Sequence, residues 1–467
     1  MRYKVAYIIL GILLTAVCVF VMSLPSAYPQ NAAEEELKAA TPTAIAEPAE
    51  EGGFSSTLPL LCIENDNTQI EYGEPGWCDI SVIDNAGGLN HPGDEPAIKT
   101  ASTIWVRGQS SALFDKKSYG IEFFKKRDSD KKSDTALLGM AEGHDWILHG
   151  PYLDKSLVRN RLTYHLAREM MFWAPDTRYC EVFLNGEYQG IYLIIESPRV
   201  YPGRIELADY ALLSGETPYL LQRNRAGTDT TEVSSFGLYS GKTRYPVYVR
   251  YPVDDKLTEK QLLWISSDFS EFERALYSDY FLDEKKGYKS YIDMDSFVAY
   301  YILTEFSINK DSGFLSTYYC KDIDGKLMMG PVWDFNNGYD NYNGYMSPPD
   351  GGFEIADNNW FGRITQDRAF VDAVVNKYRE LRKGILSTDA IMEYLDKTEA
   401  YLGDAINRNF ERWAQSFNWS YLGKDDDGFS RDIKSYAEAR KKLRIFITER
   451  GEYLDKNIEL LYNNCIN

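Results

Sequence analysis

Histidine is nearly absent from these 467 residues: His91, His144, His149 and His165 are the whole set. That leaves little material for a histidine-built metal centre. No Cys-x-x-Cys occurs, which excludes zinc ribbons and thioredoxin-type redox chemistry. Long basic runs are missing as well, since Lys116-Lys117 and Lys125-Lys126-Arg127 are short and sit among acids. Acidic residues outnumber basic ones by 70 to 51, giving −19. A sequence-independent nucleic-acid binder needs a basic footprint, so nucleic acid is not an expected partner. Internal repeats are also lacking. What is present suits a globular body, with 44% hydrophobic and 26% charged residues and an unusual 35 tyrosines. The length exceeds one ordinary core and fits two or three packed units.

One long apolar run occurs, from Val5 to Leu24, preceded by Arg2 and Lys4. At about 1.5 Å rise per residue such a run can cross a hydrocarbon core of about 30 Å. Residues 1–27 are therefore expected to form a signal anchor, with a cleaved signal peptide as the alternative, and the body to be exported. Residues 28–57, rich in Ala, Glu, Pro and Thr, read as a disordered linker. Cys18 lies in the apolar run, and the five remaining cysteines cannot all pair within one chain. Cys62 and Cys78 are close enough to bridge a hairpin; otherwise all five are small buried apolar residues.

In the body, strand patterns fall at 78–83, 103–107 and 118–124, with the small polar loop Gly108-Gln-Ser-Ser111 between the last two. The period turns helical over 154–173, where Asp154 is the candidate N-cap. Two β-rich runs then flank Asn185-Gly186, a strong hairpin signal. A strand at 219–223, a helix at 258–277 and a polar, less legible stretch at 224–256 follow. The next helix, 295–308, ends at Asn309-Lys310-Asp311, ahead of strands at 317–320 and 327–332. Beyond residue 366 the pattern is amphipathic helix, at about 367–384, 387–414 and 431–463. The order suggests an α+β, atypical protein-kinase-like two-lobed fold. Residues 58–196 would form a β-rich N-lobe and residues 197–467 a mainly helical C-lobe.

Asp311 and Asp334 each lie just beyond a helix or strand, and the intervening strand-turn-strand can fold both toward one cleft. Phosphoryl transfer needs one acid to orient a hydroxyl and another to hold Mg²⁺ across phosphates. The bland alternative is a helix cap and a turn. Lys117 opens the strand after the polar loop, where a kinase small lobe carries its phosphate-binding lysine, with the loop (Gly108, Ser110) covering the phosphates. Lys116 alternates with it, so only one of the two can face a cleft. Gly108-Gln-Ser-Ser-Ala112 also nearly spells a nucleophile elbow but lacks its last glycine. The tyrosines, tryptophans and carboxylates leave open a glycan-binding face.

Several segments together resemble the CotH kinase family, the spore-coat protein H-like atypical protein kinases. They are Ile104-Trp-Val-Arg-Gly-Gln-Ser-Ser111 with Lys116-Lys-Ser-Tyr119, Leu138-Gly-Met140 with Asp145-Trp146, Asp154-Lys-Ser-Leu-Val-Arg-Asn160, Glu181-Val-Phe-Leu-Asn-Gly-Glu-Tyr-Gln-Gly-Ile-Tyr192, and Asn309-Lys-Asp311 with Gly330-Pro-Val-Trp-Asp-Phe335. The resemblance implies an exported kinase, membrane-anchored or secreted, that uses ATP and Mg²⁺ or Mn²⁺ on Ser (or Thr) of secreted or spore-coat-like proteins. By position, Asp311 becomes the catalytic aspartate, Asp334 the metal-binding one and Lys117 the phosphate lysine. Arg159 and Asn160 belong to the helix motif, and Glu196 falls where a hinge would meet adenine. Ser316 and Asn336 stand where relatives carry Asn and Asp as metal ligands, which implies a more weakly held Mg²⁺. A catalytically inactive surface or coat scaffold is the alternative. The acidic body would favour Ser-rich basic substrates by steering.

Overall fold

The computed structural model describes residues 53–208, 215–227, 231–253, 256–356, 359–425 and 428–466. Twelve strands are found among them: β1 (Leu60–Glu64), β2 (Gly76–Ile83), β3 (Ile98–Arg107), β4 (Ser118–Phe124), β5 (Asp145–His149), β6 (Thr177–Leu184), β7 (Glu187–Glu196), β8 (Tyr219–Arg223), β9 (Glu232–Val233), β10 (Val247–Tyr251), β11 (Thr317–Lys321) and β12 (Met328–Met329). The helices are α1 (Arg159–Arg168), α2 (Phe236–Tyr239), α3 (Glu259–Leu276), α4 (Met294–Ser307), α5 (Phe361–Ile364), α6 (Arg368–Leu381), α7 (Thr388–Leu402), α8 (Ala405–Arg412) and α9 (Tyr436–Asn457).

The two-lobed kinase expectation is corrected here. Strands β1 to β7 close into a barrel in the order β1-β2-β3-β4-β5-β7-β6. Closure comes from β1, which pairs antiparallel with β2 and parallel with β6, from Leu60 opposite Glu181 to Ile63 opposite Leu184. An open small lobe has free edges, and this sheet has none. The second half is not simply helical either, because β12-β11-β8-β10-β9 form an antiparallel five-stranded sheet. Alternation along the barrel strands sends Ile63, Ile80, Ile104, Ile121, Trp146, Val182 and Ile194 into one buried cluster. The barrel interior is thus filled by side chains, and any ligand must bind outside it.

Local chemistry explains most of the elements. Asn185 and Gly186 both have positive φ (48° and 77°), as the tight β6–β7 hairpin requires. Thr258 and Gln261 form a reciprocal capping box at the start of α3. Gly403 (φ 45°) ends α7, so the expected helix 387–414 is two helices. Asp154 is not the N-cap of α1; Val158 is, and Asp154 instead accepts the Arg159 N–H at 2.9 Å and orders the preceding turn.

The anchor or signal peptide expected over 1–27 lies outside the described residues. Among those described, no helix is long and apolar enough to cross a membrane. The expected linker overlaps the fold at its end, where Ser56 bridges to Asn90 and Phe54 packs edge-on against Phe183. All five cysteines from Cys62 onward are free. The barrel register explains why no hairpin disulfide forms, since Cys62 faces Ser81 and Cys78 faces Ser102.

Candidate active site

One rim of the barrel faces the five-stranded sheet across a cleft of about 1430 Å³. The ends of β3, β5 and β7, helix α1, strands β8 and β10, and the loops around β11 and β12 all contribute to its walls. Seven of the residues singled out from sequence line it: Gly108, Ser110, Asn160, Asp311, Ser316, Asp334 and Asn336.

The two aspartates arrive from opposite ends of the β11–β12 hairpin. Helix α4 stops at Ile308, which adopts a left-handed conformation (φ 49°), and the turn after it carries Asp311. Asp311 Oδ2 accepts a hydrogen bond from Asn337 Nδ2 at 2.9 Å. Asp334 follows Trp333 and is itself left-handed (φ 62°), as is Ser316 (φ 50°). Non-glycine residues in that region concentrate where surrounding structure holds them for a purpose. The Asp334 N–H donates to the Tyr164 hydroxyl at 3.2 Å, tying the turn to α1. Burial pushes the Asp334 carboxyl up to about 6; the Asp311 charge adds to the rise and Arg107 opposes it.

Arg107, the last residue of β3, was not singled out from sequence and proves central. Its guanidinium lies 5.7 Å from the centre of the Trp333 ring and lines the cleft, and burial lowers its pKa. It makes no side-chain hydrogen bond among the described residues, and Asp334 is its strongest electrostatic partner. Trp333 in turn stacks on Tyr164 at 6.1 Å. Two signals were available: Arg107 is the one charge in Ile104-Trp-Val-Arg, and Tyr164 lies four residues after Asn160, on the same helix face. Asn337 was missed as well, and His149 also lines the cleft. Burial holds the His149 imidazole down at about 4, hence neutral at physiological pH.

The remaining predicted residues lie away from the cleft. Lys117 Nζ donates to the Ala112 carbonyl at 2.9 Å, across the turn of the polar loop. Lys116 is buried on the other side, donating to Ile191 O (2.6 Å) and Asn409 Oδ1 (2.7 Å). Arg159 is buried in an ion pair with Asp154 and donates to Tyr339 O at 3.2 Å. Glu196 accepts the Asp176 N–H at 2.8 Å, and burial raises its carboxyl to about 7. None of these four lines the cavity, and Glu196 closes β7. The loop itself requires glycine at 108: φ is +93°, and a Cβ there would sit 1.9 Å from Ser111 Oγ.

The donor set suits a hard cation. Asp334 supplies a carboxylate, and the Oδ1 atoms of Asn336 and Asn160 are buried with no hydrogen-bond partner among the described residues. Such bare oxygens are costly unless something polar or cationic meets them. No cluster of three or more His, Cys, Asp and Glu occurs among the described residues. Mg²⁺ does not need one, because it ordinarily takes one or two carboxylates and completes its shell with water and phosphate. Two acids, a guanidinium and bare amide oxygens face one cavity, groups that could hold a polyanion together with its counter-cation.

The chain belongs to the CotH kinase protein family, whose model matches residues 104–454. It is also 33% identical over 110 residues to the inner spore coat protein H of Bacillus subtilis (strain 168). That stretch is 23% of this chain and spans 27% of the relative's length.

Proposed function

We propose that this protein is a spore-coat or other extracytoplasmic protein kinase that transfers the γ-phosphoryl of ATP to Ser (or Thr) of a Ser-rich basic protein. The observation that carries the reading is the coupled pair Asp311 and Asp334 facing Arg107 in one cleft. Asp311, held by Asn337, orients the acceptor hydroxyl and takes its proton. Asp334 and Asn336 hold Mg²⁺ (or Mn²⁺), which when bound neutralises charge on the phosphates. Arg107 supplies a fixed guanidinium to the same phosphates, the part assigned to Lys117 from sequence. The Gly108–Ser111 backbone covers them from the barrel side. The relative's name as a spore coat protein supports the location.

The test is transfer of γ-labelled phosphate by the full chain to a Ser-rich basic peptide, with Mg²⁺ or Mn²⁺. Asp334→Asn and Asp311→Asn are expected to lower it at least a hundredfold, and wild-type transfer by either overturns the assignment. A silent scaffold is the second reading, favoured by Ser316 and Asn336 standing in place of better ligands. Nucleotide-dependent stabilisation separates a binding-dead scaffold from a kinase: Mg-ATP at 100 times its Kd adds about 2.7 kcal/mol to a chain that binds it.

A further inference from the structure

The proposed acceptor is basic, yet the cleft offers it no spare acid. Among the described residues Asp311 and Asp334 are the only Asp or Glu that line it, and the kinase reading gives both to the chemistry. What the mouth offers instead is aromatic. Phe114 and Tyr421 line the cleft, and a small adjoining hollow shares Leu153 and Tyr421 with it and is lined by Trp419 as well. Phe114 stacks on Tyr152 at 5.6 Å. Trp419 stands perpendicular to both, at 5.2 and 5.7 Å, and Tyr421 stands perpendicular to Phe114 at 6.0 Å. Trp419 is 36% exposed.

Short contacts tie this cluster to the acceptor side of the site. Asn337 donates to Asp311 at 2.9 Å, and Asn341 Nδ2 donates to the Asn336 carbonyl at 2.8 Å. The next residue, Tyr342, offers its carbonyl to Arg431 at 3.3 Å. The same guanidinium donates to Gly344 O at 2.9 Å and to Leu422 O at 2.8 Å. Leu422 follows Tyr421, so one buried arginine fixes that ring relative to the loop holding Asp311. The Tyr421 hydroxyl is accordingly within electrostatic reach of Asp311 and Asp334. The described acids of 340–344 and 417–433 are already hydrogen-bonded in place. Asp340 meets Arg431 at 2.7 Å; Asp425 accepts the Phe429 N–H, and Asp432 the Tyr421 and Leu422 N–H groups, all at 2.8 Å. These acids lend negative field, and the rings lend surface. The cluster also takes a cation of its own, since Lys155 Nζ lies 4.7 Å from the Tyr152 ring centre and 5.6 Å from that of Phe417. Burial holds Lys155 down at about 7, which leaves little charge to repel a second cation above neutral pH.

We infer that Tyr421 and Trp419 read the Lys or Arg side chains flanking the acceptor Ser, by cation–π contact and not through carboxylates. The inference rests on the kinase reading of Asp311 and names how its basic substrate is chosen. An aromatic face attracts a cation within about 6 Å of the ring centre through its quadrupole, more strongly as water is excluded. Unlike a hydrogen-bonded ion pair it needs no N–H donor, so a quaternary ammonium satisfies it. It does need the charge, so a neutral side chain of the same length does not.

The test is equilibrium binding of three labelled Ser-rich peptides to the full chain, above neutral pH, with Mg²⁺ and a saturating non-hydrolysable ATP analogue. The peptides differ only in that every basic position holds lysine, trimethyl-lysine or norleucine. Trimethyl-lysine is expected to bind within about threefold of lysine, and norleucine about tenfold or more weakly. Tyr421→Leu should remove most of the preference for lysine over norleucine, and Tyr421→Phe should keep it. Trp419→Leu, at a more exposed position, serves where the first disturbs folding. Trimethyl-lysine as weak as norleucine overturns the inference, because hydrogen-bonding carboxylates would then be the readers. Equal binding of all three peptides, binding of none, or a preference untouched by both leucine variants overturns it as well. Binding needs no transfer, so the two readings fail separately. A chain that shows the preference but transfers no label retains the aromatic reader and sinks the kinase reading. One that transfers label without the preference does the reverse.

Discussion

Replacing Asp334 by Asn should make the ligand-free protein more stable while abolishing transfer. Asn keeps the shape of the side chain and removes its charge. Ionisation of this carboxyl is opposed first by burial and then by Asp311. Each pKa unit is worth about 1.36 kcal/mol, so a carboxyl moved from 3.8 to about 6 costs the ionised native state about 3 kcal/mol. Water at the partly exposed side chain reduces that to roughly 1–2 kcal/mol. The pH dependence follows from the sign of the shift. Below about pH 4 the carboxyl is protonated in both folded and unfolded chains, and the variant gains nothing. Between about 4 and 6 the unfolded chain releases its proton before the native one does, so the wild type loses stability relative to Asp334→Asn. Above about 6 the difference is constant. Paired urea denaturation curves at pH 4, 5, 6 and 7.5 measure this directly. A variant that is less stable at pH 7.5, or a difference independent of pH, would refute the account of Asp334 as a strained, desolvated charge.

Other expectations follow from the same contacts. Arg107→Ala should lower kcat/KM for transfer by about 10²–10³, the cost of losing one preorganised donor; Lys117→Ala should change it by less than about threefold in the same assay, and the reverse order would restore Lys117 as the phosphate cation. Arg450→Met strips the buried Glu305 of its guanidinium partner at 3.1 Å and should cost about 3–5 kcal/mol in denaturant unfolding. Because Glu305 also accepts the N–H groups of Glu354 and Ile355, limited proteolysis should then cut the 345–356 segment faster. Asn409→Ala leaves Lys116 with the Ile191 carbonyl as its one hydrogen-bond acceptor among the described residues and should cost about 1–3 kcal/mol.

Elements governed by near neighbours were readable. The Asn185-Gly186 hairpin, helix α3 behind Thr258 and strand β8 all fall where pattern and turn chemistry put them. Barrel closure was not readable, because the parallel β1–β6 pairing joins residues about 120 apart and no local signal encodes it. Strands β9 and β10 were lost inside the polar stretch 224–256, where alternation is short. At the site, Asp311, Asp334 and Asn160 were legible because their motifs end or open regular elements. Lys117 misled because alternation decides which side of a strand a residue faces, not what awaits it there. Lys116 meets the barrel's helical cover and Lys117 meets its own turn, so neither reaches the cleft. Arg107 carried its signal in plain view but needed the opposing Trp333 to acquire meaning.

Helix α8 has a consequence for timing. Its Arg408 neutralises the buried Glu181 at 2.6 Å, its Asn409 receives Lys116, and Trp413 just beyond it donates to Gln189 O at 2.8 Å. Trp419 and Tyr421 then pack edge-on against Phe114, beside the polar loop. Ile191 and its partner Asn409 are separated by 218 positions. At roughly 5–20 residues per second, about 10–40 s of synthesis divide the two. During that interval the barrel holds two uncovered charges, and Phe114 beside the cleft has its stacked neighbour Tyr152 but not yet Trp419 or Tyr421. On the reading proposed above, a nascent chain is therefore silent, and phosphoryl transfer begins only once residues 405–421 have docked.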